Sequence, residues 1–475
     1  MKKALFIFGG VLCFVLSTAY GQRKCGIEDL KAAMIAKDPS WADKFEQQRA
    51  SLQGIADNYL QAHSSSAAKT TDVSAIPVIF HIMVDADQLA QMGGYAGIAI
   101  RCDSQIAVLN RDYNRQNADS VNIPSGWKSR YGNVGIHFAL AHTQPIGWGT
   151  PGYEVLLLPT PALTTPLTPA GFYVDAYGDY SSAKSTSSGG LDAWDVTKYL
   201  NVWCFCYADA TGNLGLSYPK SYTTPTTLND EGVTITYLAL GTTSNAIDLI
   251  FPPAGQYNEG RTLTHEIGHF FEIWHTWGDD GGGCPWGSGA DDGIADTPPE
   301  SNHKYGIPTD TIPGGTVYDA CKDSSGVLMQ PIGVSTLDYM NYTDDPAMCL
   351  FTVQQAAVMA SMVAPGGESY SLTQNPSLLL WPADAGVTPV GMNENLNISP
   401  NPSSGAINVS FTSTTDQLKQ LTVANLLGQQ VYSRQITGTP QDVYSIDLSA
   451  MSKGIYFVKC NFASGNNITR KILLQ

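Results

Sequence analysis

The sequence predicts an α+β catalytic domain followed by a smaller all-β sandwich. An apolar run from Ile76 to Val84 is typical of a buried strand, and apolar spacing predicts a helix over 101–113. A later helix carries the motif HEIGH at 265–269. From 395 to 475 the chain consists of short alternating stretches between turn residues, which is typical of a sandwich.

The first residues have the features of a cleavable secretory signal. Two lysines precede an apolar run over 4–15, and an Ala-Tyr-Gly site follows at 19–21. We therefore expect residues 1–21 to direct the chain out of the cytoplasm. An oxidising destination fits its 9 cysteines.

The segments between these landmarks define the domain boundaries. Helical spacing from 25 to 63 predicts a helical pro-segment within 22–72, and small polar residues over 64–74 predict a linker open to proteolysis. Further strands are expected at 134–141 and 200–207, whereas 145–192, rich in Pro, Gly, Ser and Thr, is expected to be a loop. The catalytic domain then spans 73–365, a linker 366–394 and the sandwich 395–475.

The HEIGH motif points to a metal site. His265 and His269 lie four residues apart and therefore share one face of a helix, with Glu266 beside them. Catalytic zinc takes three protein ligands and leaves one position open, and His275 is the natural third ligand. The motif alone is also compatible with a helix that carries two surface histidines; the third histidine favours the metal.

Such a site predicts hydrolytic chemistry. Zinc would lower the pKa of a bound water from about 15.7 toward ~7, and Glu266 could take its proton as general base. The expected reaction is amide-bond hydrolysis without a covalent intermediate.

HExxHxxxxxH followed by a methionine turn resembles the metzincin metallopeptidases. Met340, in the run DYMNYTDD, would be the turn methionine. Thr276 after the third histidine, together with the run 338–352, looks like the pappalysin family and its cytophagalysin branch. The resemblance spans 73–365. It implies a twisted mixed sheet with a zinc helix and a backing helix, and an irregular C-terminal subdomain that contains the methionine turn.

The same resemblance implies roles for two residues near the turn. Tyr342 would lean on the metal or stabilise the oxyanion of the tetrahedral intermediate; an ordinary core tyrosine is the alternative. Asp345 falls where relatives carry an acid at the base of the S1′ pocket, which implies a preference for Arg or Lys at P1′. Alternatively, Asp344 or Asp345 is a solvated turn residue.

Glu272 departs from the family pattern. Relatives carry Gly or Asn at this position, where the helix ends and the chain turns toward His275. A non-glycine residue in the left-handed region costs roughly 1 kcal/mol. Glu272 also shares the helical face of His265 and His269 and is therefore an alternative ligand; we favour His275 because the methionine turn predicts it.

An acidic loop and several cysteines lie beyond the zinc motif. The loop is Gly-rich, as in sites for hard cations. It resembles the family's calcium segment, which implies Asp292, Asp296 and Thr297 as calcium ligands; a flexible acidic loop is the alternative. The resemblance also pairs Cys284 with Cys321, while the partner of Cys349 stays open.

Two other cysteine patterns allow more than one interpretation. Cys204 and Cys206 share one face of a predicted strand and are not expected to bond each other. They could instead serve the core, other disulfides or a metal site. The string RKCG around Cys25 resembles the cysteine switch of metzincin zymogens, in which a propeptide thiolate fills the fourth zinc position. A half-cystine is the alternative.

The tail resembles a known export module. Blocks at 397–405, 425–429 and 453–475 look like the C-terminal sorting domain of type IX secretion cargo. The resemblance implies the type IX machinery as a partner and passage through the periplasm of a Gram-negative bacterium. Composition alone would indicate only an adhesive or packing module.

Charge and hydropathy narrow the functional classes. The formal net charge of -16 argues against nucleic-acid partners, and beyond the signal no run approaches the ~20 apolar residues of a membrane span. We therefore predict a secreted, latent zinc endopeptidase that acts on proteins or peptides, with Zn²⁺ and Ca²⁺ bound. The alternatives are a secreted surface or binding protein with an inactive zinc site, and a zinc hydrolase of a non-peptide substrate.

Overall fold

The computed structural model describes most of the chain in segments. These are residues 24–64, 75–159, 171–175, 179–207, 213–223, 227, 230–242, 256–279, 291–307, 321, 333–334, 336–381, 396–399, 403–411, 417–425, 430–436, 443–463 and 467–474. The predicted signal at 1–21 lies outside them.

Six α-helices lie in these segments. They are α1 (Ile27–Lys37), α2 (Ser40–Ala62), α3 (Ala86–Gln91), α4 (Gly94–Asp112), α5 (Arg261–Phe270) and α6 (Val353–Val363). The predicted helical pro-segment contains α1 and α2, which are separated at Asp38-Pro39 because proline cannot continue a helix that precedes it. Helix α2 packs against α6, so the predicted pro-segment contacts the catalytic domain.

A mixed sheet forms the centre of the catalytic domain, as predicted. Its strands are β1 (Ile76–Val84), β2 (Phe138–Leu140), β3 (Tyr153–Leu157), β4 (Leu200–Phe205), β5 (Gly215–Tyr218) and β6 (Gly232–Thr236). The order is β2-β1-β4-β6-β5, with β3 also paired to β1. All pairings are parallel except that of β5 with β6, which makes β5 an antiparallel edge strand. Every residue of β1 is buried, which explains its continuous apolar run.

The structure corrects three sequence-based boundaries. Strand β3 lies inside the predicted loop 145–192; it is short and half-buried, so its pattern is weak. Only 138–140 of the predicted strand at 134–141 is extended in a sheet. The start of the predicted linker at 366–394 belongs to the catalytic domain, because Leu372 is buried and the Leu378 carbonyl accepts from the His142 N–H at 2.7 Å.

The C-terminal region is an all-β sandwich, as predicted. Its strands are β7 (Leu396–Ser399), β8 (Ala406–Phe411), β9 (Leu418–Asn425), β10 (Gln430–Gln435), β11 (Val443–Asp447), β12 (Gly454–Phe462) and β13 (Asn467–Leu474). They form antiparallel sheets β10-β9-β12-β13 and β11-β8-β7. Alternate residues such as Val409, Leu421 and Val458 fill the space between them, which is the burial that period-2 alternation predicts.

Helix α5 is surrounded by protein along its whole length. All ten of its residues are buried, and it packs on α4, β5 and β6. The carboxylate of Asp345 accepts from the backbone N–H groups of Glu259 and Arg261 at 2.9 and 3.2 Å, which satisfies orphan donors at the helix start. The helix is therefore fixed from its sides and from its N-terminus.

Among the described residues, no helix combines the length and apolarity needed to cross a membrane.

Candidate metal centre

The end of α5 brings three histidines together. His265 and His269 lie one turn apart on the helix, and the chain then reverses at Glu272, whose φ is 73°. The Ile273 N–H donates to the Gly268 carbonyl at 3.0 Å and closes the turn. This left-handed turn carries His275 back to the helical face, as the sequence analysis expected of this position.

The three imidazoles converge on one point. Their Nε2 atoms are 3.2 Å apart between His265 and His269, 3.1 Å between His269 and His275, and 3.3 Å between His265 and His275. All three side chains are buried. The donor set matches the three-ligand arrangement of catalytic zinc.

Hydrogen bonds at the other ring nitrogens fix the protonation of these imidazoles. His265 Nδ1 donates to the Tyr339 carbonyl and His269 Nδ1 to the Ile273 carbonyl, each at 2.6 Å, and His275 Nδ1 contacts the Asp279 carboxylate. A carbonyl oxygen can only accept a hydrogen bond, so Nδ1 of His265 and Nδ1 of His269 each carry the proton. The Nε2 atom of each ring then has a free lone pair for a metal ion.

The facing lone pairs of the imidazoles indicate whether these residues can hold a metal ion. Burial, together with the neighbouring His275, lowers the pKa of His269 well below its usual value, so the ring is neutral. Neutral imidazoles whose lone pairs face one another at about hydrogen-bond distance repel unless a cation lies between them. The residues therefore fit zinc.

The methionine turn lies directly against the histidines. Met340 is fully buried, and a Cβ at Gly268 would collide with its sulfur, so the glycine of HEIGH allows the close approach. The preceding residue, Tyr339, supplies the carbonyl that holds His265. The turn thus positions a histidine directly.

Tyr342 also lies at this centre. Its ring centroid is 4.9 Å from that of His275, and its hydroxyl accepts from the Cys25 N–H at 3.1 Å and donates to the Cys25 carbonyl at 3.5 Å. It is therefore not a core tyrosine remote from the site.

Cys25 reaches the histidines from the pro-segment. Its sulfur and the ring nitrogens of His265, His269 and His275 all lie within 4.8 Å of one another. The thiol donates to a Glu266 carboxylate oxygen at 3.4 Å, and burial together with Glu266 raises its pKa. Cys25 is a free cysteine, so the structure does not use it as a half-cystine.

Backbone pairing holds the pro-segment in this position. The Gly26 N–H donates to the Gly215 carbonyl at 2.9 Å, and the Leu214 N–H donates to the Lys24 carbonyl at 2.8 Å. Cys25 thus extends the sheet beside edge strand β5, in parallel. A Cβ at Gly215 would fall on the Glu266 carboxylate, so this glycine leaves room for Glu266.

Glu272 does not join the metal-binding group. That group, among the described residues, contains Cys25 and the three histidines. The Glu272 carboxyl instead bonds to Ser221, and burial raises its pKa to about 8. It is the residue that turns the chain toward the centre without contributing a ligand.

The predicted calcium residues use their carboxylates within the protein. Asp292 accepts from the Thr297 hydroxyl at 2.7 Å and from the Ile294 N–H at 3.0 Å. Asp296 accepts from the Thr352 hydroxyl at 2.6 Å and the Gln354 N–H at 2.9 Å, so it caps α6. These contacts give calcium binding no support within the described residues.

Among the remaining described cysteines discussed above, one forms a disulfide and three do not. Cys321 is disulfide-bonded, whereas Cys284 lies outside the described residues, so their pairing stays a prediction. Cys204, Cys206 and Cys349 form no disulfide, and Cys204 and Cys349 are buried.

Sequence reasoning missed Asp279. Its carboxylate contacts His275 Nδ1 with one oxygen and accepts from Lys31 Nζ at 2.7 Å with the other. An acid four residues after a ligand histidine is a usable signal, because metal-bound histidines commonly donate their second nitrogen to a carboxylate.

Comparisons with known proteins agree with this geometry. A family described as "Pregnancy-associated plasma protein-A" (Peptidase_M43) matches residues 185–364, and "Secretion system C-terminal sorting domain" matches 397–475. Mature mirolysin of Tannerella forsythia, solved with a cleaved peptide, is 30% identical with a TM-score of 0.51; the match covers 65% of this chain and 98% of mirolysin.

Two further relatives extend the comparison. A promirolysin variant from the same organism is 28% identical with a TM-score of 0.55, covering 75% of this chain and 98% of that one. Extracellular metalloprotease 1 of Coccidioides posadasii is 27% identical over 294 residues, which is 60% of this chain and 76% of the relative. The chain spans only 31% and 49% of the length of two other fungal extracellular metalloproteases that it matches.

The strained turn at Glu272 yields a stability prediction. Glu272→Ala removes the buried carboxyl but keeps a Cβ at φ 73°, whereas Glu272→Gly also removes the strain. We expect the glycine variant to exceed the alanine variant by roughly 1 kcal/mol in the free energy of unfolding, measured by urea denaturation of the full chain. Equal stability would mean that the turn stores no strain.

Proposed function

The chain belongs to the pappalysin family of zinc metallopeptidases, and from this premise we propose that it is a secreted endopeptidase, made latent, that uses Glu266 as general base. The observation that carries the proposal is the convergence of three imidazole Nε2 atoms beside the Glu266 carboxylate. Its type IX sorting domain makes the export machinery its partner, and proteins or peptides are its substrates.

We propose His265, His269 and His275 as the zinc ligands. Bound zinc would polarise the scissile carbonyl and lower the pKa of a water toward ~7. Glu266 is buried and faces the position that the Cys25 thiol occupies in the latent chain. From there it can take a proton from the attacking water and deliver it to the leaving amine.

The contacts of the Cys25 backbone indicate how Tyr342 and strand β5 could bind a substrate. The Tyr342 hydroxyl already donates to a carbonyl oxygen of the pro-segment, so it can donate to the substrate oxygen as negative charge develops. The edge of β5 pairs with extended backbone at Gly215. After release of the pro-segment, that edge can hold an extended peptide by the same main-chain bonds.

The rival role is that of a binding protein with an inactive zinc site, and Glu272, where the chain departs from the family pattern, gives this role no support. Glu272 forms the turn that carries His275 to the other two histidines.

Replacement of Glu266 tests the chemistry. We expect Glu266→Gln to lower kcat on casein by about 10²-fold or more, because general base catalysis contributes that much. Zinc content, measured by mass spectrometry, should not change. Glu231→Gln, another buried glutamate outside the centre, is the matched control and should keep its activity. Full activity of Glu266→Gln would contradict the assignment.

Replacement of Cys25 tests latency. The full-length Cys25→Ala variant should cleave casein while intact mass shows the pro-segment still attached, because without the thiol's hold on the centre the substrate can displace the pro-segment. Cys102→Ala, a buried free cysteine in α4, should remain latent. A latent Cys25→Ala protein would remove the thiol from the mechanism.

We also propose that Asp345 gives the enzyme a preference for Arg or Lys at P1′. Asp345 is fully buried and binds the start of α5 through one carboxylate oxygen. If it also recognises a basic residue, Asp345→Asn should lower the ratio of kcat/KM for Arg over norleucine at P1′ by about tenfold, equivalent to ~1.4 kcal/mol. Asp344→Asn is the control for the neighbouring acid and should leave this ratio unchanged. An unchanged ratio in Asp345→Asn would mean that Asp345 only caps the helix.

A further inference from the structure

A lysine of the pro-segment is bound beside the metal centre by the catalytic domain. Lys31, on α1, places its Nζ 2.7 Å from an Asp279 carboxylate oxygen and 3.1 Å from the centroid of the Trp274 ring. Its side chain is only 8% exposed and that of Asp279 only 3%. An ammonium removed from water to this extent needs both an anion and an aromatic face.

The same carboxylate also reaches the metal centre. Asp279 contacts His275 Nδ1 with its other oxygen, so the Lys31 ammonium lies one side chain away from a proposed zinc ligand.

We propose that Asp279 and the ring of Trp274 form a substrate subsite for a Lys or Arg side chain, which Lys31 fills in the latent chain. This inference rests on the proposed function, since release of the pro-segment vacates the subsite. Asp279 then loses its ammonium partner while Trp274 keeps a face for cation–π contact. A basic substrate side chain restores the same contacts.

Recognition of the pro-segment gives a test that does not depend on catalysis. Fluorescently labelled peptides of residues 24–37, with Lys31 or norleucine at that position, are titrated against the mature chain released from the full-length protein. We expect norleucine to weaken binding by about tenfold, or ~1.4 kcal/mol. The difference should fall below about twofold in Asp279→Asn, whose amide oxygen can still accept from His275 Nδ1.

Cleavage profiles test the substrate itself. Quenched peptides that differ only in Lys against norleucine, or Arg against citrulline, are compared at each position around the scissile bond. We expect one position other than P1′ at which the basic residue raises kcat/KM about tenfold in the wild type and little in Asp279→Asn. Glu154→Gln, which pairs with His81 on β1, is the matched control and should retain the preference.

The outcomes separate this inference from the proposed function. Cleavage of casein without any preference that depends on Asp279 would overturn the subsite and leave the peptidase intact. Equal binding of the Lys31 and norleucine peptides would also overturn it. A mature chain that binds the Lys31 peptide selectively but cuts no protein would support the cation pocket and contradict the peptidase.

Discussion

The centre depends on acceptors that hold the outer nitrogens of three histidines. Two of these acceptors are backbone carbonyls, of Tyr339 in the methionine turn and of Ile273 in the turn after α5, and the third is the Asp279 carboxylate. They fix each tautomer and aim each Nε2 at the same point. The methionine turn, the strained turn at Glu272 and the loop that carries Asp279 therefore serve one geometric requirement.

The pro-segment uses the same centre as a binding site. Its backbone adds to edge strand β5, its Cys25 thiol lies among the histidines, and its Lys31 ammonium is held by Asp279. Backbone pairing, metal coordination and an ion pair are three different interactions. A peptide substrate could make each of them at the same places. Under the proposed function, latency is therefore occupation of the substrate site by the chain's own N-terminal segment.

Local patterns predicted much of this arrangement. The motif 265–269, His275, Met340 and Cys25 were found because their spacing is fixed by one helix, one turn or one short string. The mixed sheet and the sandwich followed from apolar periodicity, as did the helical pro-segment. Strand β3 was missed because an edge strand of five half-buried residues has little periodic signal.

Contacts across the fold could not be read from spacing. Lys31 and Asp279 are 248 residues apart, and Asp345 caps a helix that begins 84 residues earlier. A sequence also does not reveal which donors approach the acids at 292 and 296; here Thr297, Thr352 and backbone N–H groups do. Calcium binding by these acids stays a prediction.

The coordination of zinc in the latent full-length chain tests the central claim most directly. X-ray absorption at the zinc edge should show one sulfur at about 2.3 Å and three nitrogens at about 2.0 Å, and the sulfur should disappear after release of the pro-segment. A latent chain whose zinc has no sulfur neighbour, or has carboxylate oxygen in place of a third imidazole, would contradict the account.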